Sequence, residues 1–185
     1  MKQAFIIHGW GANSESNWFP WLKRELEKNE WKVTVPNMPN TENPKMEEWI
    51  KYFEAVVARR GQRLKAGQGP ATTILIGHSL GAPFILRYLE KNKASRVYLV
   101  AGFHKPLGFP ATENFVNKPF DWEVIKSHCK KFIVINSDND PYIPREIGKE
   151  LAKKLGVQEI IEHGGSHLNA PGGFLEYPVL LNLIE

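Results

Sequence analysis

The pentapeptide Gly77-His78-Ser79-Leu80-Gly81 constrains this chain more than any other stretch. It is entered through a β-type run, Thr72-Thr73-Ile74-Leu75-Ile76, and left through Phe84 to Leu89, which reads as helix. A strand that becomes a helix within so few residues leaves no room for a Cβ at the flanking positions, so glycine stands at both ends. The serine between them is then held at the tip of a sharp turn. A G-x-S-x-G in that strand–turn–helix setting is a nucleophile elbow; the pattern without the setting occurs by chance.

The rest of the chain repeats the alternation of strand and helix. Ala4 to His8 is a continuous apolar run ending at Gly9, as expected of a strand buried on both faces. From Asn17 to Asn29, Trp18, Trp21, Leu22 and Leu26 recur at helical spacing, with Pro20 in the first turn. Lys32 to Val35 is a short strand ended by Pro36. Asn43-Pro44 reads as a cap and first turn for a helix with Met46, Trp49, Ile50, Phe53 and Val57 on one face. That helix fades near Gly61, and Gly67 to Pro70 reads as loop. After the elbow come a strand at Arg96 to Ala101, an irregular segment from Gly102 to Pro119 and a short helix at Trp122 to Ser127. A strand at Lys131 to Asn136 follows, then a helix opened by Pro144 and stopped by Gly156. The last strand is Val157 to Glu162, and Pro178 starts a final helix with Leu181 and Ile184 inward. The pattern predicts an α/β domain over residues 1–185: a doubly wound, mostly parallel sheet of about six strands with helices on both faces.

Composition excludes several classes of function. The 185 residues are 42% hydrophobic and 24% charged, ordinary for a globular domain. No apolar run is long enough to span a bilayer, and the N-terminal Met1 to Gly9 reads as strand rather than signal peptide. Cys129 is the only cysteine, so no internal disulfide forms and a reducing cytoplasm is the expected setting. The net charge of +4 comes from scattered pairs such as Arg59-Arg60 and Lys153-Lys154 among glutamates, which reads as solvated helix faces and not as a nucleic-acid stripe. No set of side chains has metal-ligand spacing. Gly9-Trp10-Gly11 follows a strand but lacks the third glycine of a dinucleotide fingerprint, and no phosphate loop is present. No cofactor is expected.

In a doubly wound sheet, ligands sit beyond the carboxyl ends of the strands. A serine hydroxyl needs a base to take its proton, and the base needs a group that fixes its tautomer. Ser79 is followed by Asp138 and Asp140, then by His163 and His167, each just after a strand. Asp140, directly before Pro141, is favoured as the acid, and Asp138 as a turn residue bonding backbone N–H groups. His167 is favoured over His163, because the glycines before it let the chain swing the ring back over the elbow. An oxyanion would take the backbone N–H of Leu80 and, from the loop after the first strand, that of Trp10. Phe103, Leu107, Phe109 and Phe115, with His104, are candidates for a pocket wall. His128 reads as surface, and His78 as packed or hydrogen-bonded near the turn.

These segments together resemble the α/β-hydrolase superfamily. More narrowly, the chain is similar to the small retinoblastoma-binding serine hydrolases. The likeness is carried by His8-Gly9-Trp10-Gly11 with Trp18 and Trp21-Leu22, by Val35-Pro36-Asn37-Met38-Pro39-Asn40, by the elbow, and by His167-Leu168-Asn169-Ala170 with Gly172-Gly173-Phe174. The resemblance implies a compact fold without a large cap domain, and Ser79, Asp140 and His167 as a triad. It also implies cleavage of small carboxylic esters through an acyl-enzyme, with a small-molecule ester as partner. One departure is Ser166, which stands directly before the histidine where many hydrolases place glycine. A second reading is a protein-binding module on a hydrolase scaffold with a vestigial triad; a protein partner is not legible in the sequence.

Overall fold

Lys2–Ile7 forms β1, and from Gln3 onward every residue of it is buried. It lies between β2 (Trp31–Thr34) and β3 (Thr72–His78), pairing Ala4 with both Val33 and Ile74. Beyond β3 come β4 (Arg96–Val100), β5 (Phe132–Ser137) and β6 (Glu159–Glu162), giving the order β2-β1-β3-β4-β5-β6 with every pairing parallel. The computed structural model describes residues 2–61 and 72–185, so the loop expected over Gly67 to Pro70 lies outside the described residues.

The strand order reverses at β1. The chain leaves β1 toward β2 on one side, then returns to β3 on the other and continues outward. Loops after β1 and β3 therefore diverge, and a crevice opens between them at the carboxyl ends. The glycine loop and the elbow sit at this reversal.

Helices cover both faces. α1 (Phe19–Lys28) turns Phe19, Leu22 and Leu26 inward and meets α7 (Pro178–Ile184). On the other face α2 (Met46–Gly61) packs on α3 (Gly81–Leu89), α3 on α5 (Trp122–His128), and α5 on α6 (Arg145–Leu155). Every residue of α3 is buried, as expected of a helix with neighbours on all sides. Trp49 and Phe53 of α2 meet Phe84 of α3 edge to face, with centroids 5.6 and 5.5 Å apart, a favoured geometry for the ring quadrupoles. Asp121 caps α5 by accepting the Val124 N–H, and Gly156 ends α6 at φ +73°, in the left-handed region where glycine costs least.

Four local expectations are corrected. Asn43-Pro44 does not open α2, which starts at Met46. The Met46 N–H is instead taken by the side chain of Asn114, 68 residues away, whose amide also donates to the Pro44 carbonyl. A cap supplied by a distant loop has no local signal. The segment Gly102 to Pro119 is irregular except for one short helix, α4 (Pro110–Glu113). In α7 it is Leu180 that is fully inward together with Ile184, and Leu181 is half-buried. His128 is half-buried, with Nδ1 donating to the Leu89 carbonyl at 2.7 Å.

The glycines of the elbow are sites of close backbone approach. A Cβ on Gly77 would stand 2.6 Å from the carbonyl group of Gly81 and 2.8 Å from Ile85 Cδ1. A Cβ on Gly81 would run into the Ile7 carbonyl oxygen of β1. Backbone cannot give way as a flexible side chain does. Gly77→Ala is therefore expected to lower the unfolding free energy by about 3 kcal/mol or more in urea titration, the upper range for overpacking. A loss of under about 0.5 kcal/mol would show that β3 and α3 are not so tightly apposed.

Candidate active site

Ser79 is the residue at which β3 turns into α3, and its φ is +53°. A left-handed backbone at a residue other than glycine is a sparsely populated conformation, costing of order 1–3 kcal/mol. Two bonds hold it there: the Ser79 N–H donates to the Val100 carbonyl of β4, and the Ser79 carbonyl accepts the Ala82 N–H of α3, each at 2.9 Å. The hydroxyl is thereby presented at the mouth of the crevice.

The candidate acid and base stand on the loops after β5 and β6. Three consecutive side chains of the first loop grip the second. Asp138 accepts the Gly164 N–H at 2.8 Å and binds His163 Nδ1 at 2.6 Å. Asn139 Oδ1 accepts the Ser166 N–H at 2.7 Å. Asp140 Oδ2 accepts from His167 Nδ1 at 2.8 Å, while its Oδ1 accepts the N–H groups of Tyr142 and Ile143. A carboxylate only accepts, so the His167 proton sits on Nδ1 and Nε2 is left bare. The two Asp–His pairs differ in surroundings. His163 is 83% exposed, whereas the side chains of Asp140 and His167 are 3% and 10% exposed. The Gly164 N–H and His163 hold the Asp138 carboxyl below its ordinary range.

The departure at Ser166 has a structural explanation. Ser166 and Leu168 both have φ of +50°, so the serine adopts the backbone form for which glycine is the usual choice. Its N–H bond to Asn139 holds it there. The Trp18 indole donates to the Leu168 carbonyl at 2.9 Å, and Asn17 Oδ1 accepts the Ala170 N–H.

The loop after β1 is fixed from below. His8 is fully buried; its Nε2 accepts the Met38 N–H at 3.0 Å, so Nδ1 carries the proton and donates to the Gly9 carbonyl. Burial holds this ring below its ordinary pKa, in the neutral form those bonds require. Gly11, at φ +63°, donates to the Thr41 carbonyl, and the Trp10 indole donates to the Glu42 carbonyl. Among the described residues, neither the Trp10 nor the Leu80 backbone N–H has a protein acceptor.

Ser79, Leu80, Trp10 and His167 line one cavity of about 290 Å³. No hydrogen bond joins Ser79 Oγ to His167 among the described residues; such contacts are often loose in unliganded sites and tighten around substrate. Of the expected wall residues, Phe103, Leu107 and Phe109 line this cavity. His104 does not. It is instead buried against Trp122, with Nε2 3.6 Å from Glu150. Phe115 is also not a wall residue; it is fully buried in the core against Trp49, with centroids 5.2 Å apart.

Tyr142, Ile143, Thr112 and Asn169 line the cavity without having been anticipated. Tyr142 matters most, since its ring meets His167 edge to face at 4.9 Å and is itself 52% exposed. Its place two residues after Asp140 was the one available signal. Among the described residues no three metal-binding side chains gather, and no helix is long and apolar enough to cross a membrane.

A parallel six-stranded sheet with a strained serine at its switch point is the architecture of an α/β-hydrolase. A family model for serine hydrolases matches residues 4–185, and the chain belongs to that family. It is similar to the hydrolase YdeN of Bacillus subtilis (strain 168), 32% identical over 99% of this chain and 94% of the relative. It is also similar to the serine hydrolase RBBP9 of Rattus norvegicus, 26% identical over 84% of this chain and 81% of the relative. The crystal structure of the B. subtilis ydeN gene product superposes with a TM-score of 0.86, covering 100% of this chain and 97% of that one at 31% identity. The protein is thus a hydrolase enzyme.

The unequal burial of the two Asp–His pairs separates their effects. Asp140→Asn is expected to slow labelling of Ser79 by a fluorophosphonate roughly 10³-fold or more, because it removes the acceptor that fixes the His167 tautomer. Asp138→Asn is expected to slow it less than about tenfold. Greater slowing in Asp138→Asn than in Asp140→Asn would assign the acid role to Asp138.

Proposed function

We propose that this protein hydrolyses small, uncharged carboxylic esters through an acyl-enzyme, with Ser79 as nucleophile, His167 as base and Asp140 as its orienting acid. The observation that carries the reading is the 2.8 Å bond from His167 Nδ1 to Asp140, which leaves Nε2 as the free nitrogen of a ring that lines the same cavity as Ser79.

Ser79 Oγ adds to the ester carbonyl carbon as His167 Nε2 takes the hydroxyl proton. The carbonyl oxygen becomes an oxyanion, and the Trp10 and Leu80 N–H groups receive it. The Leu80 N–H belongs to the entry of α3, where the helix dipole also favours negative charge. Each such donor lowers a barrier of this kind by about 2–4 kcal/mol. The oxyanion then collapses, the carbon–oxygen bond to the alcohol breaks, and His167 returns the proton to the departing oxygen. Water, giving a proton to His167, adds to the acyl carbon; the bond from that carbon to Ser79 Oγ then breaks, His167 returns the proton to Oγ, and the carboxylic acid leaves.

Cavity chemistry supports a neutral, compact acyl group. Trp10, Phe103, Leu107, Phe109, Tyr142 and Ile143 surround it, and none of the lining residues is a lysine, arginine or carboxylate. At about 290 Å³ it is at the small end for ligand sites. A larger groove of about 780 Å³ along α2, lined by lysines and glutamates, touches none of the candidate residues. A vestigial scaffold would gain nothing from a left-handed serine at φ +53°, which favours the enzyme reading over a pure binding module.

Nitrophenyl esters of increasing acyl length test this. Acetate to hexanoate esters are expected to turn over with kcat/KM at least about tenfold above the decanoate ester, and Ser79→Ala to lower kcat by about 10³-fold or more. Folded wild-type protein that neither turns over these esters nor reacts with a fluorophosphonate would overturn the proposal.

A further inference from the structure

The residue before the proposed nucleophile makes a bond that the scheme above leaves unused. His78 ends β3 and is 3% exposed. Its Nε2 lies 2.9 Å from the backbone carbonyl oxygen of His167. A carbonyl only accepts, so the ring proton is on Nε2. Nδ1 is then a bare acceptor, buried and without a partner among the described residues. Burial, and secondarily the nearby His167, push the pKa of His78 down to about 3, so the ring is neutral at any ordinary working pH.

We propose that His78 is a positioning residue for His167: it ties the backbone of the proposed base to the residue adjoining the proposed nucleophile, and so sets where the His167 imidazole stands relative to Ser79. The inference rests on the Ser79–His167–Asp140 reading.

Three observations carry it. His167 lies between Ser166 and Leu168, both left-handed at φ +50°, so its backbone follows a path that local preference does not favour. The neighbouring ties reach other residues of the loop: Asn139 holds Ser166, and Trp18 holds Leu168. Only the His78 bond, among those described, fixes the main chain of His167, and it originates one residue from Ser79. Finally, the ring is itself held, edge to face against Trp18 and Phe19 with centroids 6.0 and 5.8 Å away, and 5.0 Å from the His167 ring. An apolar side chain could fill that space without burying an unpartnered nitrogen, so the Nε2 donor is what the position retains.

The test compares His78→Leu, His78→Gln and His78→Asn. The glutamine amide nitrogen reaches the place of Nε2, whereas the asparagine amide reaches only that of Nδ1. On nitrophenyl acetate, the leucine and asparagine variants are expected to lose about tenfold to a hundredfold in kcat with KM within about twofold, as a slightly misplaced base would. The glutamine variant is expected to stay within about fivefold of wild type. A second readout is the far-downfield proton resonance of the His167 Nδ1–H bonded to Asp140, expected to persist in wild type and the glutamine variant and to broaden or vanish in the other two. Equal kcat in all three folded variants would overturn the proposal, as would an unchanged resonance in the leucine and asparagine proteins. If the leucine variant does not fold, the contrast between glutamine and asparagine decides. Wild-type protein without turnover or fluorophosphonate labelling would instead overturn the hydrolase chemistry, and the resonance would then decide the role of His78 alone.

Discussion

The site depends on a backbone approach too close for any side chain. Gly81, at the start of α3, lies against the Ile7 carbonyl of β1, and Gly77 lies against Gly81 itself. These contacts press the elbow into the gap between the two central strands. With both neighbours excluded from bearing a Cβ, the chain turns within the span of Ser79 and Leu80, and Ser79 takes the left-handed conformation at the apex. Everything else about the site is an arrangement of loops around that fixed point. The sheet order reverses between β1 and β3, so the loop carrying Trp10 leaves on one side and the loops after β5 and β6 arrive from the other.

Loops lack ladder hydrogen bonds, and this protein replaces them with side chains that grip backbone. His8 joins the loop after β1 to Met38 of the Val35–Asn40 segment. Trp49 donates to the Pro39 carbonyl at the other end of the same segment. Asp138, Asn139 and Asp140 clamp the loop after β6, and His78 and Trp18 take the carbonyls of His167 and Leu168 from beneath. Such bonds satisfy buried polar backbone that would otherwise be costly to leave unpaired. They also tie these loops to one another and to the ends of the central strands.

Several of these features were legible from residue types alone. The elbow and the alternation of strands and helices follow from local rules that act over a few residues. The choice between Asp138 and Asp140 was less so. Both follow β5 and both pair with a histidine; the structure separates them by burial, a property of the surrounding chain. The start of α2 departs from the local Asn43-Pro44 signal because its cap, Asn114, arrives from a distant loop. His104 and Phe115 lie off the cavity for a related reason. In an irregular segment no periodicity indicates which way a side chain points, and only contacts with Trp122, Glu150 and Trp49 decide it.

Sequence alone determined where the chain must be tight. Glycine pairs, proline breaks and apolar runs encode strand, elbow and helix through short-range sterics, and the order of Ser79, Asp140 and His167 marks them as candidates for the site. Tertiary structure decided which atoms meet. The tautomer of His167, the hold of Asn139 on Ser166, the contact of Tyr142 with His167, and the small apolar cavity all arise between segments apart in the chain. Those contacts depend on register, twist and the reversal of strand order, none of which any single segment contains.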